Sequence, residues 1–418
     1  MTARVGASRN FFTRLGPGLI TGAADDDPSG IATYSQAGAQ FGLGMLWTVV
    51  LTYPLMTAVQ TISARIGRVT GQGLTANLLK VLPRSLVLAL VGLLVFANTL
   101  NIGADLAAMG AAARLVTGAS EHLFTIGFAL LSLGLLVYVP YHRYVGLLKW
   151  MTMALLAYVA VLFTVKVDWL AVALGVVAPQ LPFDRSALLM VVAVFGTTIS
   201  PYLFFWESSE EVEDEAADGS GSRDHPEQAR DQLSRIGIDN LVGMAISNLI
   251  AFFIILATAV TLHAQGVTDI QSSAQAAEAL RPLAGEMAFV LFSLGVDGTG
   301  LLAVPVLAGS AAYAVGDLFG WTCGLERRPR EAPAFYGLMA AAVAVALVVD
   351  YSGVDPIRAL FWSAVVNGVI AVPIMAAMLT VASRRAIMGA FVAPPGQALL
   401  GWAATAVMAA AVAGMIFR

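Results

Sequence analysis

The chain has 418 residues, of which 58% are hydrophobic and only 12% charged, and its mean hydropathy is +0.79. Soluble globular chains carry about 25% charged residues, so this composition is that of a polytopic helical membrane protein. A net charge of −4 with no basic run gives no footing for a nucleic-acid partner, and the single cysteine, Cys323, excludes an intramolecular disulfide or a multi-cysteine metal site.

Met1 to Arg14 is polar and basic, shows no cleavable signal pattern, and reads as a cytoplasmic N-terminus. Apolar segments of spanning length then fall at about 15–41, 43–64, 86–113, 122–139, 146–166, 186–210, 236–262, 286–319, 334–350, 356–382 and 397–417, eleven in all. With the N-terminus inside, most of the 23 Lys and Arg lie on the cytoplasmic side, as the positive-inside rule requires. An integral protein of a bacterial plasma membrane, embedded in the lipid bilayer, is expected, and the sequence leaves its oligomeric state open, a monomer included.

The first segment, Leu15 to Phe41, carries Asp25-Asp26-Asp27-Pro28-Ser29-Gly30 in otherwise small and apolar surroundings. An Asp at the centre of a spanning helix costs about 2.5–3.5 kcal/mol on an insertion scale, unless it faces a cavity or a partner. Pro28 has no N–H and Gly30 tolerates unusual backbone angles, so the helix is expected to break here. Carboxylates beside unwound backbone carbonyls are hard oxygen ligands for a cation. Asp27 is also placed to cap the second half-helix.

A second interruption, Ser200-Pro201, follows the apolar run Ser186 to Ile199 in the sixth segment. Interrupted helices at corresponding places of two five-helix halves point to an inverted-repeat transporter with its site at the membrane midplane. The halves are read as 15–166 and 186–382, with 397–417 as an eleventh helix. Glu207 to Arg235 is expected to be a cytoplasmic loop. Its acidic first half, ESSEEVEDEAAD, reads either as a solvated loop or as a cation-attracting inner vestibule.

GPGLITGAADDDPSGIATYSQAGAQFG resembles the first helix of the Nramp transporters, with their Gly-Pro-Gly opening and Asp-Pro-Gly-Asn motif. GTTISPYLFFWESS is similar to their sixth helix, with its Ala-x-x-Met-Pro-His. Asn101-Ile102-Gly103-Ala104-Asp105-Leu106-Ala107 and GLLAVPVLAGSAAYAVGDLFGW resemble their third and eighth helices. The resemblance spans nearly the whole membrane region. It implies an all-α LeuT-like fold of five plus five inverted helices, and transport of a divalent cation, usually manganese or iron with a proton.

Matched position by position, the family's Asp falls on Asp27, its Pro on Pro28 and its Gly on Ser29. Its Asn ligand falls on Gly30, its sixth-helix Ala on Thr197, its Met on Ser200 and its His on Tyr202. Asp25 and Asp26 stand where the family has uncharged residues, and a further acid of the third helix falls on Ala108. Losing the thioether removes the preference for softer ions, because carboxylate, carbonyl and water suit magnesium, calcium and manganese. Losing the Asn and adding carboxylates is expected to leave a roomier, more negative site. Magnesium, which dehydrates reluctantly, suits such a site. This pattern is similar to the Nramp-related magnesium transporters.

The expected substrate is therefore magnesium, and also manganese, moved inward by alternating access without strict proton coupling and without a cofactor. The expected site is Asp27 with Thr197 and Ser200, joined by Asp25 or Asp26, and lined by Gly30, Tyr202 and the intramembrane amide Asn367. Asp105 is either a vestibule acid or a partner for an interior polar group. Gln60, Asn98 and Asn101 carry no assigned role. A proton-coupled manganese or iron carrier is the nearest alternative. An organic-cation or amino-acid carrier of the same fold is weaker, since three aspartates would repel a substrate carboxylate. A channel is disfavoured by the paired interruptions. No nucleophile motif, phosphate loop or His/Cys cluster suggests an enzyme.

Overall fold

A computed structural model describes residues 21–22, 24–139, 151, 153–178, 184–218, 226–325, 327–351 and 353–417. The N-terminal segment 1–20, the start of the fifth predicted segment and the middle of the predicted loop, 219–225, lie outside the described residues. The long helices are α1 (Pro28–Phe41), α2 (Leu46–Thr70), α3 (Arg84–Thr117), α4 (Glu121–Tyr138), α5 (Arg185–Thr198) and α6 (Pro201–Asp218). They continue as α7 (Pro226–Thr261), α8 (Ala288–Phe319), α9 (Pro333–Asp350), α10 (Pro356–Ala382) and α11 (Pro395–Phe417). Shorter helices, Leu156–Val161 and Trp169–Val177 among them, connect these.

Eight described stretches are long and apolar enough to cross a membrane. The sequence reading has more because α1 and α2 join into one stretch, the apolar helix Pro333–Val348 is shorter, and the fifth segment, where it is described, holds only the short helices Met153–Leu155 and Leu156–Val161. The outside of the bundle is apolar, with Phe96, Leu123, Phe163 and Leu170 more than half exposed, while Asp25, Asp26, Asp27, Asn101 and Asp105 are buried. Apolar surface outside and polar groups inside is the arrangement a hydrocarbon solvent demands.

Small residues set the closest helix approaches. A Cβ at Gly22 would strike the carbonyl of Gly243, and one at Gly38 the carbonyl of Ile255, so α1 and the helical residues just before the interruption run along α7. His263 Nδ1 lies 2.8 Å from the Ala39 carbonyl at the far end of this contact. Gly67 packs in the same way on Ser208, and Ser63 Oγ donates to the Phe204 carbonyl at 2.5 Å, fixing α2 on α6. Gly196 of α5 meets Ala364 and Gly368 of α10. Such backbone approaches supply dispersion contact where lipid gives no hydrophobic drive between helices.

The stretch predicted as a loop from 207 to 235 is helical up to Asp218 and again from Pro226. Its acidic first half continues α6, and Glu207, Ser208 and Glu211 are at most 1% exposed. Composition suggested solvent, but a helix repeats every 3.6 residues, so one face of an acidic helix faces the bundle. Glu211 pairs there with Arg68 of α2 at 4.0 Å and with Arg235 of α7 at 3.4 Å.

Candidate functional site

Two helices stop and restart beside each other. Helical structure ends at Asp25, Asp26 and Asp27 are non-helical, and α1 begins at Pro28. Asp27 is the N-cap: Oδ1 accepts from the Gly30 N–H at 2.7 Å, and Pro28 occupies a first-turn position where no N–H is needed. α5 ends at Thr198, and Ser200 Oγ turns back to the carbonyls of Gly196 and Thr197 at 2.9 and 2.8 Å. It thereby satisfies carbonyls the helix end leaves over.

Three contacts join the interruptions. Ser29 Oγ lies 3.2 Å from Thr197 Oγ1, Tyr34 OH lies 2.9 Å from Thr198 Oγ1, and Tyr202 OH donates to the Ala24 carbonyl at 3.1 Å.

Asp27 is the centre of this arrangement. Its Oδ1 also accepts from Ser29 Oγ at 2.6 Å, and its Oδ2 accepts from Asn101 Nδ2 at 2.8 Å. Ser363 of α10 donates to Asn101 Oδ1 at 2.6 Å, and Asp105 lies one turn along α3 with Oδ2 3.5 Å from the same amide nitrogen. Asp25, Asp26, Asp27 and Asp105 are 0–3% exposed, and none is in an ion pair among the described residues. Four buried carboxylates without a matching cation make a strongly negative interior.

Several expected site residues are placed differently. Asp25 and Asp26 turn to α7, where the single hydroxyl of Ser247 lies 2.8 Å from Asp25 Oδ2 and 3.1 Å from Asp26 Oδ1. Among the described residues no three His, Cys, Asp or Glu side chains converge to hold a metal ion. The position of Gly30 is not roomy: a Cβ there would lie 3.2 Å from the Tyr34 ring and 3.4 Å from Thr197 Oγ1. Tyr202 ties the half-helix to α6. The carbonyl of Thr197 is taken by Ser200, leaving its hydroxyl facing Ser29. Asn367 is 1% exposed with neither amide atom hydrogen-bonded.

Asn101, Ser29 and Ser363 were missed. The signal for Asn101 was present: an amide four residues before Asp105, on the same face of a membrane helix.

Residues 18–418 match the family described as Nramp, natural resistance-associated macrophage protein-like. The chain belongs to the Nramp family. A relative from Acidiphilium cryptum, named divalent metal cation transporter MntH, is 30% identical over 91% of this chain and 85% of its own length. A protein of the same name from Deinococcus radiodurans is 27% identical over 94% of this chain and 87% of its own. Among solved structures, a manganese transporter from Eremococcus coleocola superposes with a TM-score of 0.77 at 16% identity, covering 99% of this chain and 90% of that one. This Nramp protein therefore has that transporter's fold.

Proposed function

We propose that this Nramp protein carries divalent metal cations inward across the membrane by alternating access, with Asp27 as the central ligand. The observation that carries the reading is the Asp27 carboxylate itself. It is buried, in no ion pair among the described residues, at a helix interruption, and braced by groups from α1 and α3. A carboxylate has about four lone-pair sites, and three are occupied here. Rotation of the Ser29 hydroxyl would free one and present the hydroxyl oxygen as a second ligand. The Thr197 hydroxyl stands next in line. Relatives named as divalent metal cation transporters support the class of substrate.

The finer reading is magnesium, together with manganese. The groups gathered at Asp27 are carboxylate, hydroxyl and amide, and oxygen ligands suit these harder ions. Transport without strict proton coupling is part of the same proposal. It is supported by Tyr202, where the family resemblance places a histidine and this chain has a phenol tied to a backbone carbonyl.

Uptake into proteoliposomes holding a magnesium indicator, with lumenal pH recorded, tests both. Magnesium entry that Asp27→Ala abolishes, with no matching acidification, is the expected result. Manganese entry that acidifies the lumen, with magnesium neither entering nor competing, would establish the proton-coupled manganese or iron carrier instead.

A further inference from the structure

Gly401 of α11 sits where three helices meet: a Cβ there would lie 2.6 Å from the Leu379 side chain of α10 and 3.3 Å from that of Ile62 of α2. About 5.4 Å further towards the nearer end of each helix, one turn on, stand Arg65 on α2, Ser383 and Arg384 past α10, and Gln397 in the first turn of α11. Arg65 is three residues from Ile62 and Gln397 four from Gly401, spacings that keep each on the face its helix turns to the junction. The connection from α10 to α11 closes over the same end. The Ala393 N–H donates to the Ala382 carbonyl at 3.0 Å, and the short helix Arg385–Met388 packs on α2. The helix Leu74–Leu78, which follows α2, packs in turn on α10.

No acid balances these arginines. α2, α10 and the whole of 383–418 contain no Asp or Glu. Arg65, Arg384 and Arg385 are in no ion pair among the described residues, whereas Arg68, one turn beyond Arg65, is paired with Glu211. Arg384 and Arg385 are exposed, but Arg65 is partly buried, and its Nε is shut off from solvent with no acceptor. Gln397 Oε1 is shut off in the same way with no donor. A buried N–H left without an acceptor is costly, and guanidinium is the side-chain group best matched to phosphate oxygens. All three helices end at this level, which is headgroup depth, and Leu399, 71% exposed, turns the flank of α11 just inside it towards lipid.

We infer that Arg65, Arg384, Arg385 and Gln397 form a binding site for the headgroup of an anionic glycerophospholipid. The phosphate accepts from the arginines, a headgroup hydroxyl donates to Gln397 Oε1, and an acyl chain lies along the apolar flank beside Leu399. One headgroup then bridges the ends of α2, α10 and α11. The site is separate from Asp27 and independent of which ion is carried.

Native mass spectrometry of the purified full chain in detergent, with phosphatidylglycerol or phosphatidylcholine added, tests this. The unaltered protein should retain phosphatidylglycerol about tenfold or more in preference to phosphatidylcholine. Each arginine removed should weaken that retention roughly fivefold. Arg65→Gln removes one. Arg384→Ala with Arg385→Ala removes two at exposed positions, which keeps the test open if Arg65→Gln misfolds. Arg330→Ala, at an exposed arginine between α8 and α9, should change nothing. Equal retention of the two lipids, or undiminished phosphatidylglycerol in the double variant, would overturn the site. Inorganic phosphate displacing the lipid at equal concentration would overturn the lipid assignment in favour of a free anion.

Discussion

Asn101 Nδ2 lies 2.8 Å from Asp27 Oδ2, and this bond ties the middle of α3 to the interruption before α1. Ser363 holds the other end of the amide, so the carboxylate is positioned from three helices. Groups that orient a metal ligand are worth about 10–100-fold in affinity. Asn101→Leu should therefore weaken manganese binding by about that factor while the protein stays folded. A binding titration beside a thermal-stability scan checks it, and unchanged affinity would show that Asn101 has no orienting role.

The Arg68–Glu211 pair is buried on both sides, each 1% exposed, and Arg235 completes it. Removing one partner of a buried pair costs about 3–5 kcal/mol, whereas replacing both with apolar groups is often neutral. Glu211→Ala should lower the unfolding temperature sharply, and Arg68→Met with Glu211→Leu should restore most of it. A double variant no better than Glu211→Ala would argue against this coupling.

Gly67 and Gly196 sit where a side chain has no room, against Ser208 on α6 and Ala364 on α10. Overpacking of this kind costs about 1–3 kcal/mol or more. Gly67→Val and Gly196→Val should each reduce the monodisperse fraction on size exclusion and lower thermal stability. Gly92, whose Cβ would meet open space, should accept the same substitution with no such loss.

Cys323 lies between α8 and α9, outside the spanning stretches. Burial chiefly, and then Asp317 and Glu213, push its thiol up to about 12, with Arg327 opposing. The thiolate is the reactive form, so alkylation by a maleimide should be slow at neutral pH and rise with pH towards that value. Labelling at neutral pH as fast as for a small free thiol would contradict this environment.

The sequence alone determined that this is a helical membrane protein, because spanning helices must carry long apolar runs and this chain does so over most of its length. It also located both interruptions, since Asp27-Pro28 and Ser200-Pro201 remove donors at positions where a helix needs them. The family was legible in the same residues. Tertiary structure decided which carboxylate faces what. The sequence singles out Asp27 but leaves open what Asp25 and Asp26 face, and packing at the helix end puts Asp25 and Asp26 beside Ser247 and Asp27 beside Asn101. It also decided that Glu207 and Glu211 are interior groups, because local polarity reports composition while burial depends on which neighbouring helices cover a face. Asn101 became a site residue for the same reason: its partners lie 74 and 262 residues away in the chain, a proximity that only packing creates.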